Sequence, residues 1–167
     1  MGVYKVDRLM QEARRIAREY REAMGRPLLG ISAELAVHDA IRLLGLRPVP
    51  PGTPGHDAVG TGRWEGKRIQ IKGRAIFDER KGGQRIGQLK VDQPWDSVML
   101  VLLDERYEPY EIHEAEREDL LEALRETSSR RAARGAVSVA RFKIIGRLVW
   151  TRERGIEDEV WDNRAGP

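Results

Sequence analysis

Residues Ser97–Leu103 read SVMLVLL, a continuous apolar run that decides how the rest of the chain is arranged. A run of this length favours a β-strand that is buried on both faces. Such a strand needs a layer of other elements on each side of its sheet. We therefore expect an α/β domain in which helices flank a sheet that contains this strand.

Patterns on either side of this run predict the flanking elements. The helix Val6–Met24 has an apolar stripe of Met10, Ala13, Ile16, Ala17 and Tyr20, and the helix Ser32–Leu44 has one of Ala33, Ala36, Val37, Ala40, Ile41 and Leu44. A hairpin is predicted with arms at 56–61 and 67–74, and a polar loop at 77–93. A strand at 108–113 and a helix at 114–127 follow. This order predicts a mixed sheet with helices on its faces.

Length and composition exclude several classes of protein. The 167 residues suit one domain, with an N-terminal helix in 1–27, a core in 32–127 and a C-terminal extension in 128–167. The chain has no cysteine, which excludes thiol chemistry and fits a reducing cytoplasm. We expect no membrane segment, because no apolar run approaches the roughly 20 residues needed to cross a bilayer. A net charge of +3 permits nucleic-acid binding without requiring it.

The second arm of the hairpin carries the residues that are best suited to catalysis or metal binding. Residues 68–74 read RIQIKGR, so Ile69 and Ile71 share one face while Gln70 and Lys72 share the other. Asp57 begins the preceding arm, and a hairpin would bring it close to them. The register stays open, because a slip of one residue would turn Asp57 to the wrong face.

These residue types suit metal-assisted hydrolysis of a phosphodiester. Mg²⁺ prefers oxygen ligands, and an aspartate, an amide oxygen and a backbone carbonyl would provide them. A neighbouring lysine stabilises negative charge or helps deprotonate water. Glu34 is a further carboxylate at the margin of a buried stripe, where we expect it to be poorly solvated unless it has a partner.

The same residues resemble the motif of the PD-(D/E)xK, or restriction-endonuclease-like, nuclease superfamily. The matching residues are Glu34 in SAELAVHDAIRLLG, Asp57 in GHDAVG and Gln70-Ile71-Lys72 in RIQIKGR, and the resemblance covers about 32–127. It implies a restriction-endonuclease-like sheet and a DNA endonuclease that uses Mg²⁺ or Mn²⁺. Asp57, Gln70 and the Ile71 carbonyl would bind metal, Glu34 would hold a water or a second ion, and Lys72 would position or activate the nucleophile. A homodimer is a further expectation from the resemblance.

The match departs from the family pattern in two places. Gln70 stands where the pattern has Asp or Glu, which is similar to the QxK variant of Mrr-like endonucleases, and it lowers the negative charge available to a metal. His56 rather than proline precedes Asp57. Two other readings therefore stay open: a nuclease-fold module that binds nucleic acid or a protein with little catalysis, and an unrelated α/β domain whose motif match is chance.

Several cations are candidates for binding the DNA backbone. Arg68 and Arg74 flank the polar face of the hairpin, and Lys81, Arg85 and Lys90 follow in the next loop. Gln84 and Gln88 in that loop could contact base edges. Arg130, Arg131 and Arg134 form a basic connector further along the chain.

Overall fold

A computed structural model describes residues 2–126 and 137–157. Within these ranges the helices are α1 (Val3–Met24), α2 (Ile31–Leu44), α3 (Arg117–Glu126) and α4 (Val139–Ile145). The strands are β1 (Arg47–Pro48), β2 (Ala58–Val59), β3 (Arg68–Ala75), β4 (Ser97–Leu103), β5 (Pro109–Glu116), β6 (Arg147–Thr151) and β7 (Gly155–Ile156). They form one curled seven-stranded sheet in sequence order. β3 and β4 are parallel and every other neighbouring pair is antiparallel, so the fold is α/β with a mixed sheet.

Strand β4 is buried on both faces, which confirms the prediction made from its apolar run. All of its residues are inaccessible to solvent. Met99, Val101 and Leu103 pack into the core that lies against α2. Val98, Leu100 and Leu102 pack into a second core, formed with side chains of α3, α4 and the loop between β3 and β4. The sheet therefore has a helical layer on each side.

Helix α2 lies on β3 and β4, but its buried face is rotated from the predicted stripe. Leu35, Ala36, Asp39, Ala40 and Leu44 are buried, whereas Ala33 and its neighbour Glu34 are exposed. The predicted stripe was therefore wrong at Ala33. Asp39, which lay outside the predicted stripe, is buried instead, and a buried carboxylate requires a partner.

That partner is Arg14 of α1, whose side chain is 1% exposed. Its Nη2 donates to both carboxylate oxygens of Asp39 at 2.6 Å, and its Nε donates to the Tyr107 carbonyl at 2.8 Å. Burial raises the pKa of Asp39, and the Arg14 guanidinium opposes that rise. The predicted α1 stripe was wrong at Ile16, which is 50% exposed, because the face of α1 that packs inward includes Arg14 and Ala17.

The predicted third helix begins three residues too early. Glu114, Ala115 and Glu116 extend β5, and α3 starts at Arg117. Glu114 is 1% exposed and accepts hydrogen bonds from Ser97 Oγ at 2.8 Å and Trp64 Nε1 at 3.2 Å. Burial raises the pKa of Glu114, but the hydrogen bond from Ser97 and the positive charges of Lys67 and Arg147 hold it below its usual value. An acid that looks like a helix-start signal is thus a buried strand residue.

Residues 147–156 add β6 and β7 to the same sheet. The predicted basic connector with Arg130, Arg131 and Arg134 lies outside the described residues. Across the described ranges, no helix combines the length and the apolar character that crossing a bilayer requires.

Gly73 sets the distance between α2 and the sheet. A Cβ on Gly73 would lie 2.5 Å from the Ala36 Cβ and 2.7 Å from the Ser32 carbonyl oxygen. Only a residue without a side chain allows the helix to approach β3 so closely. This contact places the first turn of α2 beside the strand that carries Gln70 and Lys72.

We predict that Gly73→Ala destabilises the protein by about 1–3 kcal/mol, the usual range when a packed core is overfilled. Urea unfolding measures the change. Gly82→Ala is the matched control, because a Cβ there would meet nothing within 4 Å. Equal stability of the two variants would contradict the close approach of α2.

Candidate functional site

A cleft lies along the outer edge of β3, where the sheet has a gap. β2 pairs with β3 only at Ala58↔Ile69 and Val59↔Arg68, so no strand of the described residues lies on that side of the later part of β3. The cleft has a volume of about 290 Å³. Its lining includes β3, the first turns of α2, the segment before β2 and part of the β3–β4 loop: Ala33, Glu34, Val37, Thr53, Gly55, His56, Asp57, Gln70, Ile71, Lys72, Gly73, Arg74, Gly87 and Lys90.

Asp57 faces β3, which answers the register question that the sequence left open. Its backbone N–H donates to the Ile69 carbonyl at 2.9 Å, and its Oδ2 accepts from the Ile71 N–H at 2.8 Å. Its Oδ1 accepts no hydrogen bond from the described residues. Because the N–H and C=O of one strand residue point to the same side, the Ile71 carbonyl also points to this open edge.

Gln70 presents a buried oxygen that has no hydrogen-bond partner among the described residues. Its side chain is 3% exposed, and its Nε2 donates to the Gly55 carbonyl at 3.0 Å. A carbonyl can only accept, so this bond fixes which end of the amide is nitrogen. The Oε1 is left without a donor. A buried acceptor without a partner costs about 1–3 kcal/mol, so this oxygen is available to accept from, or coordinate, a group that enters the cleft.

The backbone conformation of Gly55 allows its carbonyl to accept the hydrogen bond from Gln70. Its φ is +86°, and a Cβ there would lie 2.6 Å from the Pro94 carbonyl oxygen. The Gly55 carbonyl can therefore reach Gln70 only from a backbone conformation that favours glycine.

Lys72 is half-buried next to Asp57 and Gln70. Its Nζ donates to the Gln88 carbonyl at 3.0 Å. Burial lowers the pKa of Lys72, and the positive charges of Lys90 and Arg74 lower it further, while the Asp57 carboxylate opposes this. The lysine is thus closer to releasing a proton than an ordinary surface lysine is.

Arg74 and Lys90 add two further cations to the cleft. The Arg74 Nε donates to the Arg85 carbonyl, and its Nη1 donates to the Gly73 carbonyl at 3.1 Å. Burial lowers the pKa of Arg74. Lys90 is exposed at the cleft wall. Neither side chain has an ion pair with an acid in the described part of the chain.

Glu34 lines the cleft from the first turn of α2, but it is not the poorly solvated acid that the sequence analysis expected. Its side chain is exposed and forms no hydrogen bond or ion pair with the described residues. The expectation failed because it assumed that Ala33 and Ile41 mark a buried stripe beside Glu34. A carboxylate in this position is free to bind a ligand in the cleft.

The other predicted DNA contacts lie outside the cleft. Arg68 pairs with Asp96, with Nε–Oδ2 and Nη2–Oδ1 distances of 3.1 Å. Lys81 is exposed, and the Arg85 side chain does not line the cleft although its carbonyl binds Arg74. The geometry therefore separates Arg74 and Lys90 from the three other cations that the sequence grouped with them.

Two cleft residues, Gly55 and Gly73, were not singled out from the sequence, and a third, His56, was noted only because it precedes Asp57. Gly55 and Gly73 position the walls, and a glycine inside a strand pattern was the available signal for the second. His56 also lines the cleft, with a buried Nδ1 that has no partner among the described residues. A histidine next to the candidate aspartate was the only signal for it.

Chemically, the cleft combines oxygen donors with cations. Its donors are two carboxylates, one buried amide oxygen and one backbone carbonyl, which are hard ligands of the kind that Mg²⁺ and Mn²⁺ prefer. In residues 2–126 and 137–157 no group of three or more His, Cys, Asp or Glu residues could hold a metal ion. An ion in this cleft would therefore depend on Gln70 Oε1 and the Ile71 carbonyl as well as on carboxylates.

The sequence matches no protein family model and no curated protein. The chemistry of the cleft is therefore the basis for assigning a function.

We predict that Lys72 titrates below an ordinary lysine, because its ammonium group is partly desolvated. Asp57→Asn should lower this pKa further, since it removes the neighbouring negative charge, and Lys90→Ala should raise it. NMR titration of the protein with ¹³C-labelled lysine side chains measures all three values.

The same shift has a consequence for stability. The folded pKa lies below the unfolded one, so the unfolded state binds more protons between the two values and stability rises with pH in that window. Lys72→Met should lack this rise. A Lys72 titration that is unchanged by Asp57→Asn would contradict the placement of the two side chains.

Proposed function

We propose that this chain is a metal-dependent nuclease with a restriction-endonuclease-like fold, acting on DNA phosphodiester bonds. The observation that carries the proposal is the buried Gln70 Oε1, which has no described partner and lies in one cleft with Asp57 and Lys72.

The residues present fit a hard divalent cation such as Mg²⁺ or Mn²⁺. Asp57, through its free Oδ1, Gln70 Oε1 and the Ile71 carbonyl would hold it, with Glu34 close to the opening of the cleft. When bound, such an ion withdraws electron density from a phosphoryl oxygen and favours deprotonation of water.

The chain's own side chains would perform the remaining tasks. Asp57 is held in place by the Ile71 N–H, so its free oxygen is oriented before any ligand binds. Lys72 would donate to a nonbridging phosphate oxygen and stabilise the charge that develops there. Burial lowers its pKa, so it releases a proton more readily than an ordinary lysine does.

The cleft's charge favours an anionic substrate. Lys72, Arg74 and Lys90 place three cations in a cleft that contains two acids, Glu34 and Asp57. A bound divalent ion would increase this excess of positive charge. A phosphodiester backbone is the polyanion for which such a site is suited.

The arrangement of elements also supports a restriction-endonuclease-like fold. Glu34 lies on a helix before the hairpin, Asp57 precedes the first arm, and Gln70 and Lys72 lie on the second arm beside the buried strand β4. This is the order that the motif resemblance implies.

A second function remains open because of Gln70. An amide carries no net charge, so it binds a cation more weakly than a carboxylate does. A nuclease-fold module that binds nucleic acid with little catalysis would retain the cations of the cleft and lose the metal.

The first test is cleavage of supercoiled plasmid and of a single-stranded oligonucleotide with Mg²⁺, Mn²⁺ or EDTA. We expect metal-dependent cutting that Asp57→Ala and Lys72→Ala each reduce by roughly 100-fold or more, the range seen when one charge-stabilising group is lost. Asp92→Ala and Lys81→Ala are matched controls, because both residues are exposed and outside the cleft.

Cutting that survives both cleft substitutions would come from a contaminant or another site, and would overturn the assignment. DNA binding without any cutting would favour the binding module.

Gln70→Glu tests the role of the amide directly. We expect it to tighten Mn²⁺ binding, because it adds a negative charge to the ligand set. It should also destabilise the metal-free protein, because a carboxylate oxygen would face the Gly55 carbonyl in place of the Nε2 donor. Calorimetry with Mn²⁺ and unfolding in EDTA measure the two effects; Mn²⁺ affinity that falls or stays equal would speak against Gln70 as a ligand.

A further inference from the structure

Two of the cations that line the cleft carry charge that no ion pair neutralises among the described residues. Arg74 lies two residues beyond Lys72 on the same face of β3, and Lys90 enters from the β3–β4 loop. Neither forms an ion pair with an acid in the described ranges. The half-buried Arg74 is the more telling, because a partly desolvated cation without a counter-ion is unfavourable unless an anion binds to it.

The loop that carries Lys90 is fixed to the body of the protein. Its neighbour Leu89 is 1% exposed in the second core. The Lys90 carbonyl accepts from Trp95 Nε1 at 2.7 Å and from the Gln93 N–H at 3.0 Å. Arg117 of α3 donates to the Val91 carbonyl at 2.6 Å and to the Gln93 carbonyl at 2.9 Å. These bonds hold the backbone of Lys90 at the cleft wall.

The loop is also tied to the strand opposite. Lys72 Nζ donates to the Gln88 carbonyl at 3.0 Å, and Arg74 Nε donates to the Arg85 carbonyl. Gly87 lies between these two contacts, and a Cβ there would be 3.7 Å from Lys72 Nζ and 3.8 Å from Arg74 Nη2. The strand and the loop thus form two walls of one groove, with Arg74 in one wall and Lys90 in the other.

We propose that Arg74 and Lys90 form a phosphate subsite, which binds the phosphate group next to the one that is cleaved. The inference rests on the proposed nuclease function of the same cleft. Lys72 and Arg74 are separated by roughly 6.6 Å along the strand, since each residue adds about 3.3 Å. This is of the same order as the separation of successive phosphates in a nucleic-acid strand. Asp57 and Gln70 serve one phosphate, and Arg74 with Lys90 serves its neighbour.

Binding in EDTA tests the subsite without any need for cleavage. The probe is a short fluorescein-labelled single-stranded oligonucleotide, whose anisotropy is followed at several NaCl concentrations. We expect Lys90→Ala to weaken binding several-fold and to reduce the slope of log K against log salt by about 0.7, the value for one single-strand phosphate contact. Lys90→Arg should restore most of the affinity, because it keeps the charge.

Lys81→Ala is the matched control, since Lys81 is an exposed lysine of the same loop that does not line the cleft. Arg74→Gln should also weaken binding, but Arg74 holds the loop through the Arg85 carbonyl, so its unfolding curve must be measured alongside. The Lys90 variants therefore decide the test. Equal effects of Lys90→Ala and Lys81→Ala would overturn the subsite, as would unchanged affinity and slope in Lys90→Ala.

A cleavage experiment then identifies which phosphate Arg74 and Lys90 bind, relative to the one that is cleaved. Oligonucleotides with a single neutral methylphosphonate linkage are compared at successive positions. For the wild-type protein, we expect neutralisation next to the cleaved linkage to lower kcat/KM, and for Lys90→Ala we expect a smaller loss at that position, because only Arg74 then contacts that phosphate. Additive losses would contradict the pairing of Lys90 with the neighbouring phosphate. If nothing is cut but the binding results hold, the nuclease proposal fails while an anion site at Arg74 and Lys90 stands.

Discussion

The burial of β4 on both faces is the constraint on which the rest of the structure depends. Its seven residues leave no face for solvent, so one helical layer must cover each side of the sheet. α2 covers one side, and α3, α4 and the β3–β4 loop cover the other. Because β3 and β4 are parallel, the chain must cross from one end of the sheet to the other between them. That crossing is made by residues 76–96, which supply both core side chains and a wall of the cleft.

The cleft follows from what this architecture leaves unpaired. β2 stops after two residues, so the outer edge of β3 is open at Ile71. Asp57 occupies that edge and accepts the Ile71 N–H through one oxygen, which leaves the other oxygen available. The close approach of α2 at Gly73 brings Glu34 to the same place. Asp57 Oδ1 and Gln70 Oε1 thus accept no hydrogen bond from the described residues. Polar groups left without partners in this way lower local stability and are typical of binding sites.

Local patterns predicted β4, the hairpin and the shared strand face of Gln70 and Lys72, because period-two alternation and apolar runs indicate which side chains are buried. Asp57 could be placed in the hairpin but not on a face, since the register depends on a hydrogen bond to Ile71. The sequence could not predict that Arg14, Asp39 and Glu114 are buried, because their burial depends on partners that are distant in sequence. The sequence could not separate the cations that line the cleft from those outside it for the same reason. Asp96, which pairs with Arg68, and Trp95, which binds the Lys90 carbonyl, take these positions only once the loop has folded.

The proposed function requires Asp57, Gln70 and Ile71 to bind a divalent cation together. Anomalous diffraction from crystals grown with Mn²⁺ tests this requirement, because the signal locates the ion without reference to activity. We expect a peak in contact with Asp57 Oδ1, Gln70 Oε1 and the Ile71 carbonyl oxygen, and the loss of that peak in Asp57→Asn. A cleft that stays free of Mn²⁺ at high concentration, or an ion that does not contact Gln70, would contradict it.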